Sequence, residues 1–217
     1  MPYVVAIEQQ KGGAMKTTLS FNLVAAMVRR GLDAVLVDSD PQGTARDVAA
    51  ARQDGEQPVR VYAIDRPELI AQQVSRIKND FVIIDGASKA NKLAEAGIKA
   101  ADLVLIPVQP SKLDVWGCED LVNMIKDRQE NLVDTGRELK AAFVMTRVAP
   151  KTKLSKTIRK EIDVFGFPII EGKAVQRIVY ADSAGEGKSV FDWKPKPRDA
   201  IAEIDLILDN VLSILQA

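Results

Sequence analysis

Short apolar runs rich in valine and isoleucine recur along the chain, at Tyr3 to Ile7, Ala34 to Val37, Val59 to Ile64, Phe81 to Ile84, Leu103 to Val108 and Ala142 to Met145. Most are continuous rather than alternating, which predicts strands buried on both faces. Between them, apolar residues fall at three- and four-residue steps. That spacing predicts helices over Thr17 to Arg30, Pro67 to Asn79, Lys89 to Ala100, Val115 to Asn131 and Ser155 to Phe165. A last segment, about Pro197 to Leu215, places Ile201, Ile204, Ile207, Leu208, Val211, Leu212 and Leu215 at three- and four-residue steps and predicts an amphipathic helix that closes the domain. Strand and helix in regular alternation imply right-handed crossovers. The expected fold is α/β, a doubly wound, mostly parallel β-sheet with helices on both faces. Gly55 to Pro58 and Lys194-Pro195-Lys196-Pro197 read as loops rather than linkers, so residues 1–217 predict a single domain.

Composition narrows the chemistry. With 217 residues, 47% of them apolar, the chain can bury one substantial core. Lysine plus arginine equal aspartate plus glutamate at 30 each, so any polyanionic partner has to be read from local patches. The chain has one cysteine, Cys118, and no histidine, which argues against disulfides, zinc or cluster sites and histidine acid–base catalysis. The N-terminus lacks the basic start and long apolar stretch of a signal peptide, and no apolar run approaches a membrane span. A cytoplasmic location is the expectation.

The stretch Lys11-Gly12-Gly13-Ala14-Met15-Lys16-Thr17-Thr18 follows the first strand and opens the first helix. In that context a glycine-rich turn is a phosphate cradle, because its backbone N–H groups and the helix N-terminus form a concave anion site. Lys16 then neutralises β- and γ-phosphates, and the Thr17 hydroxyl ligates Mg²⁺. A second element, Val35 to Pro41, ends a buried strand in Asp38 and Asp40. Alternation puts both carboxylates on the same side, where one can sit near the metal and the other orient an attacking water. A third, Phe81 to Gly86, ends another strand in Asp85, the position from which a carboxylate supports Mg²⁺.

These residues closely resemble the ParA/MinD group of P-loop ATPases, whose deviant Walker A pattern is Lys-Gly-Gly, two residues, Lys, then Ser or Thr. Lys11 and Lys16 fill both lysine positions, and the likeness continues through Asp38 to Gln42, Asp85, Leu103 to Val108, Thr146-Arg147 and Tyr180 to Val190. It implies a small ParA-type ATPase that uses ATP and Mg²⁺ to segregate or position plasmid, chromosome or other cargo. With only ten residues before Lys11, an added N-terminal DNA-reading domain is not expected. The resemblance implies a sandwich homodimer on ATP, in which Lys11 reaches the partner's nucleotide, Lys16 and Thr17 act in their own subunit, Asp40 positions water, Asp85 supports Mg²⁺, and Thr146 and Arg147 lie by the adenine. It also implies nonspecific duplex DNA as a partner, hence a nucleoid-associated protein, and release by hydrolysis that a ParB-like or other adaptor stimulates. Local charge agrees: Arg147, Lys151, Lys153, Lys156, Arg159 and Lys160 run without an acidic residue between them, and Arg177 is a further candidate.

Two positions depart from the pattern. Met15 stands where the family carries glycine, which predicts weakened nucleotide binding or turnover. Asp85-Gly86-Ala87-Ser88 lacks the paired prolines common after that aspartate. The alternatives are a nucleotide-insensitive DNA-binding or adaptor module on the same fold and a MinD-like positioning ATPase. Against membrane attachment, Ile204 to Ala217 carries Asp205 and Asp209 but no lysine or arginine.

Overall fold

A computed structural model describes residues 2–53, 56, 58–88, 91–150 and 156–217, with backbone alone at 91 and 156. In chain order the elements begin with β1 (Tyr3–Ile7), α1 (Lys16–Arg29), β2 (Ala34–Asp38), α2 (Thr44–Ala50), β3 (Val61–Ala63) and α3 (Pro67–Val74). There follow β4 (Phe81–Asp85), α4 (Asn91–Ala100), β5 (Leu103–Val108), α5 (Lys112–Trp116) and α6 (Glu119–Glu130). The chain ends with β6 (Lys140–Val148), α7 (Lys156–Asp163), β7 (Ile169–Val175), α8 (Ile178–Gly185) and α9 (Arg198–Gln216).

The strands form one sheet in the order β3-β2-β4-β1-β5-β6-β7, and every pairing is parallel. Alternation along each strand builds two cores. Val4 and Ala6 of β1 face the layer that holds Ile70, Leu93, Ile125 and Ile162. Val5 and Ile7 face the layer that holds Leu23, Val48, Tyr180 and Ile207. The sheet is therefore covered on both faces, as the continuous apolar runs require. Chain direction across the sheet reverses at β1, which puts a crevice beyond its carboxyl end. On the second face α9 lies along α1, and charged side chains join them: Arg29 to Asp205 at 2.5 Å, and Arg30 to Asp209 at 2.5 Å and to Asp205 at 3.0 Å.

Three sequence expectations need correction. β7 was not foreseen because Glu171 and Lys173 are exposed between Ile170, Gly172 and Ala174, the alternating pattern of an edge strand with one covered face. The helix expected over Val115 to Asn131 is two helices, α5 and α6, separated at Gly117 and Cys118. The helix expected over Pro67 to Asn79 ends at Val74. The short helices α2 and α8 lay below the length at which periodicity is readable. Of the loop Gly55 to Pro58, Gly55 and Gln57 lie outside the described residues.

Candidate phosphate-binding site

The turn between β1 and α1 is held from below by its own side chains. Gln9 Nε2 donates to Pro107 O at 3.1 Å and to Cys118 Sγ at 3.2 Å, while its Oε1 accepts from the Lys11 amide at 3.2 Å. Thr146 donates its hydroxyl to Ala14 O at 3.3 Å, which ties the turn to β6. Met15 caps α1 in the left-handed region, with φ 69° and ψ 22°. For a residue with a Cβ that conformation costs about 1–2 kcal/mol, so the backbone keeps the geometry of a glycine although the residue is methionine.

Lys16 is buried, and its Nζ donates to Gln9 O at 2.8 Å and Ser88 Oγ at 2.9 Å. Burial pulls its pKa below the usual lysine range, against the charges of Asp85, Glu8 and Asp40, which hold it up. Above it opens a cleft of about 360 Å³, lined by Gly13, Ala14, Met15, Lys16, Thr17, Thr18, Asp40, Gln42, Thr44, Ser88 and Arg147. Most of the expected phosphate residues thus meet in one concavity. Lys11, Gly12 and Thr146 do not line it. Arg147 stands exposed at the rim with φ 49°, a strained backbone of the kind that clusters at functional sites.

Lys11, expected to reach a partner's nucleotide, is turned within its own chain to Asp114, with Nζ 2.5 Å from Oδ1. Asp114 is itself fixed at the start of α5, where Ser111 and Asp114 cap each other.

The strand-end carboxylates are adjacent but unequal. Asp38 and Asp85 are Cα partners across β2 and β4, and both are buried. Asp38 Oδ1 accepts from the Asp40 amide at 3.1 Å, and Oδ2 accepts from the Arg46 amide at 3.1 Å and Arg46 Nε at 3.2 Å. Asp38, expected beside the metal, therefore has both oxygens partnered within the chain. Asp85 Oδ1 accepts from Ser20 Oγ at 3.0 Å, whereas Oδ2 is buried and accepts nothing. Burial pushes the Asp85 pKa up to about 7, opposed by the Thr17 hydroxyl, aided by Asp38, and opposed again by Ser20 and Lys16. An orphaned acceptor beside the Thr17 hydroxyl fits a hard cation that takes oxygen ligands and water. No group of three His, Cys, Asp or Glu among the described residues could hold a metal by itself.

Glu8 was not foreseen. It is fully buried, and neither carboxyl oxygen has a hydrogen-bond partner. Burial drives its pKa well above the ordinary range, with Lys16 opposing and Asp85 adding. Two glycines make room for it: a Cβ at Gly86 would lie 2.1 Å from Oε2, and one at Gly97 2.5 Å from Oε1. Its signal in the sequence was a charged residue ending an apolar strand two residues after the last alternation step. Asp40 accepts from the Gln42 amide at 3.0 Å and from the Ser88 amide at 3.2 Å.

The basic candidates divide. Lys151 and Lys153 lie outside the described residues, as does the side chain of Lys156. Arg159 and Lys160 are exposed on α7. Arg177 grips Glu203 through two nitrogens at 2.9 and 2.8 Å and also pairs with Asp199, so its charge is largely neutralised. No described helix is long and apolar enough to cross a membrane.

The family model described as the CobQ/CobB/MinD/ParA nucleotide binding domain matches residues 5–190. The chain is 30% identical over 214 residues to the "Maintenance of carboxysome distribution protein A" of Halothiobacillus neapolitanus, covering 97% of this chain and 96% of that protein. It is 26% identical over 208 residues to "Protein ParA" of Rhizobium radiobacter, covering 93% and 91%. Among solved structures, the septum site-determining protein MinD of Pyrococcus horikoshii, complexed with Mg-ADP, shares the fold with a TM-score of 0.72 at 19% identity over 99% of each chain.

Proposed function

We propose that this chain, which belongs to the CobQ/CobB/MinD/ParA nucleotide-binding family, is an ATPase of the ParA type that positions a cargo. The observation that carries this reading is a buried Lys16 at a helix N-terminus, lining a cleft with the glycine turn, near enough to the unpartnered Asp85 Oδ2 for the two charges to interact. The amides of that turn and Lys16 bind the phosphates, and Thr17 and Asp85 hold Mg²⁺, directly or through water. When bound, Mg²⁺ supplies positive charge to the β- and γ-oxygens. Asp40, on the cleft wall, orients the attacking water, which is a positioning role. Arg147 at the rim covers the base. Asp38 supports this arrangement by fixing the turn after β2 through Arg46.

ATP closes two copies face to face, and Lys11 exchanges Asp114 for the partner's nucleotide. The dimer binds duplex DNA without sequence preference through a patch centred on Arg159 and Lys160. An adaptor protein stimulates hydrolysis and releases it. The relatives named for carboxysome distribution and for ParA support a positioned cargo of this kind. The test is salt-dependent binding to nonspecific duplex DNA with ATP, ADP and no nucleotide, alongside ATP turnover with and without Mg²⁺. ATP-dependent binding and Mg²⁺-dependent turnover are expected. Binding that ignores nucleotide would instead favour the adaptor-module reading, whose one specific support is Met15 at φ 69°.

A further inference from the structure

Ser88 touches both groups on which the proposed chemistry depends. Its Oγ accepts from Lys16 Nζ at 2.9 Å, and its backbone N–H donates to Asp40 Oδ2 at 3.2 Å. One residue thus bridges the cleft, from the phosphate-binding ammonium on one wall to the water-positioning carboxylate on the other. The backbone leading to it is anchored up to Gly86. Ser39 donates both its amide, at 3.2 Å, and its hydroxyl, at 2.7 Å, to Asp85 O, and the Gly86 amide donates to Ile7 O at 3.1 Å. A Cβ at Gly86 would lie 2.6 Å from Ile7 O, so only glycine lets the chain leave β4 this close to β1. Two residues beyond that anchor, Ser88 is exposed.

We infer that Ser88 is a positioning residue that competes with the terminal phosphate of a nucleoside triphosphate for Lys16, and whose displacement also frees Asp40. The inference rests on the ATPase reading. An ammonium bound to a phosphate oxygen makes a charge-on-charge hydrogen bond, stronger than one to a neutral hydroxyl. Of the three Lys16 N–H groups, one is held by Gln9 O and one is free for a β-phosphate, so a γ-phosphate takes the third and displaces Ser88 Oγ. Because the second contact comes from the same residue, its N–H leaves Asp40 in the same movement, and Oδ2 becomes an acceptor available to water. A nucleoside diphosphate brings no terminal group to that place and leaves the strap closed. The strapped form also reduces apparent affinity for the triphosphate, since the competent form is only a fraction of the free chain.

The experiment measures the affinity of the full chain for a nonhydrolysable ATP analogue and for ADP, both with Mg²⁺, in the parent, Ser88→Ala and Ser88→Thr. Ser88 is exposed, so neither substitution disturbs the core. Ser88→Ala is expected to bind the ATP analogue about 3–10-fold tighter with ADP affinity held within about twofold. Ser88→Thr, which keeps the hydroxyl, returns the ratio of the two affinities to that of the parent. A Ser88→Ala chain that shifts both nucleotides alike, or neither, or a Ser88→Thr chain that behaves like it, overturns the role of Ser88 and leaves the ATPase reading standing. A parent chain that binds neither nucleotide overturns both.

Discussion

The ends of β2 and β4 lie side by side, each a buried apolar run closing in an aspartate whose pKa burial raises, yet they differ in how fully they are hydrogen-bonded. At the end of β2, Asp38 is satisfied by the Asp40 amide and by Arg46. At the end of β4, Asp85 Oδ2 and both oxygens of the adjacent Glu8 are buried with no partner. A buried polar atom left unsatisfied costs about 1–3 kcal/mol. The end of β2 is therefore built for stability, and the end of β4 is left incomplete, at a cost to the free chain that the proposed Mg²⁺ would offset. Equal sequence patterns differ in their surroundings because α2 places Arg46 over one carboxylate, while the other is met only by the Ser20 and Thr17 hydroxyls of α1.

Substitution at the two aspartates should break the symmetry most sharply. Asp85→Asn is expected to lower Mg²⁺-dependent ATP turnover by about 100-fold or more while the melting temperature stays level or rises, because a desolvated carboxyl is removed. Turnover that survives within about threefold would refute the metal role. Asp38→Ala should do the reverse: a loss of about 1–3 kcal/mol in urea unfolding, with the affinity for ADP little changed.

The pH dependence of stability sharpens the same contrast. Glu8 is raised by burial, so the folded chain holds its proton more tightly than the unfolded chain. Its contribution is most favourable below the ordinary glutamate value of 4.5 and declines as pH rises from there toward the raised value. Glu8→Gln, which mimics the protonated acid, should therefore match the parent near pH 4 and exceed it in melting temperature at pH 8. A constant difference across that range would show that Glu8 does not titrate with folding. The smallest effect belongs to the end of β1. Met15→Gly relieves a left-handed methionine and should add about 0.5 kcal/mol, read from the denaturant midpoint, with tighter binding of the ATP analogue.

The glycine turn, the two strand-end aspartates with Asp40 just beyond, and the two-faced sheet were legible in the sequence because each rests on a local pattern: spacing, strand continuity, or a charged residue after an apolar run. What escaped was relational. Arg46 pairs with Asp38 across eight residues, Asp114 holds Lys11 from the helix after the neighbouring strand β5, and Glu8 is intelligible only beside Gly86 and Gly97, which lie far along the chain. β7 escaped for another reason, since an edge strand with one covered face resembles an amphipathic loop when read alone. The departure at Gly86-Ala87-Ser88 was visible as missing prolines, but its content, a hydroxyl and an amide aimed at two different walls, required the fold.

The ion pairs that join Arg29 and Arg30 to Asp205 and Asp209 bear on how the molecule works as a machine. They join the last turn of α1 to α9, the longest helix, at the end of α1 opposite the glycine turn. On the displacement proposed for Ser88, a fluorophore placed beside it in the chain would respond to the ATP analogue, and one placed on α9 would not.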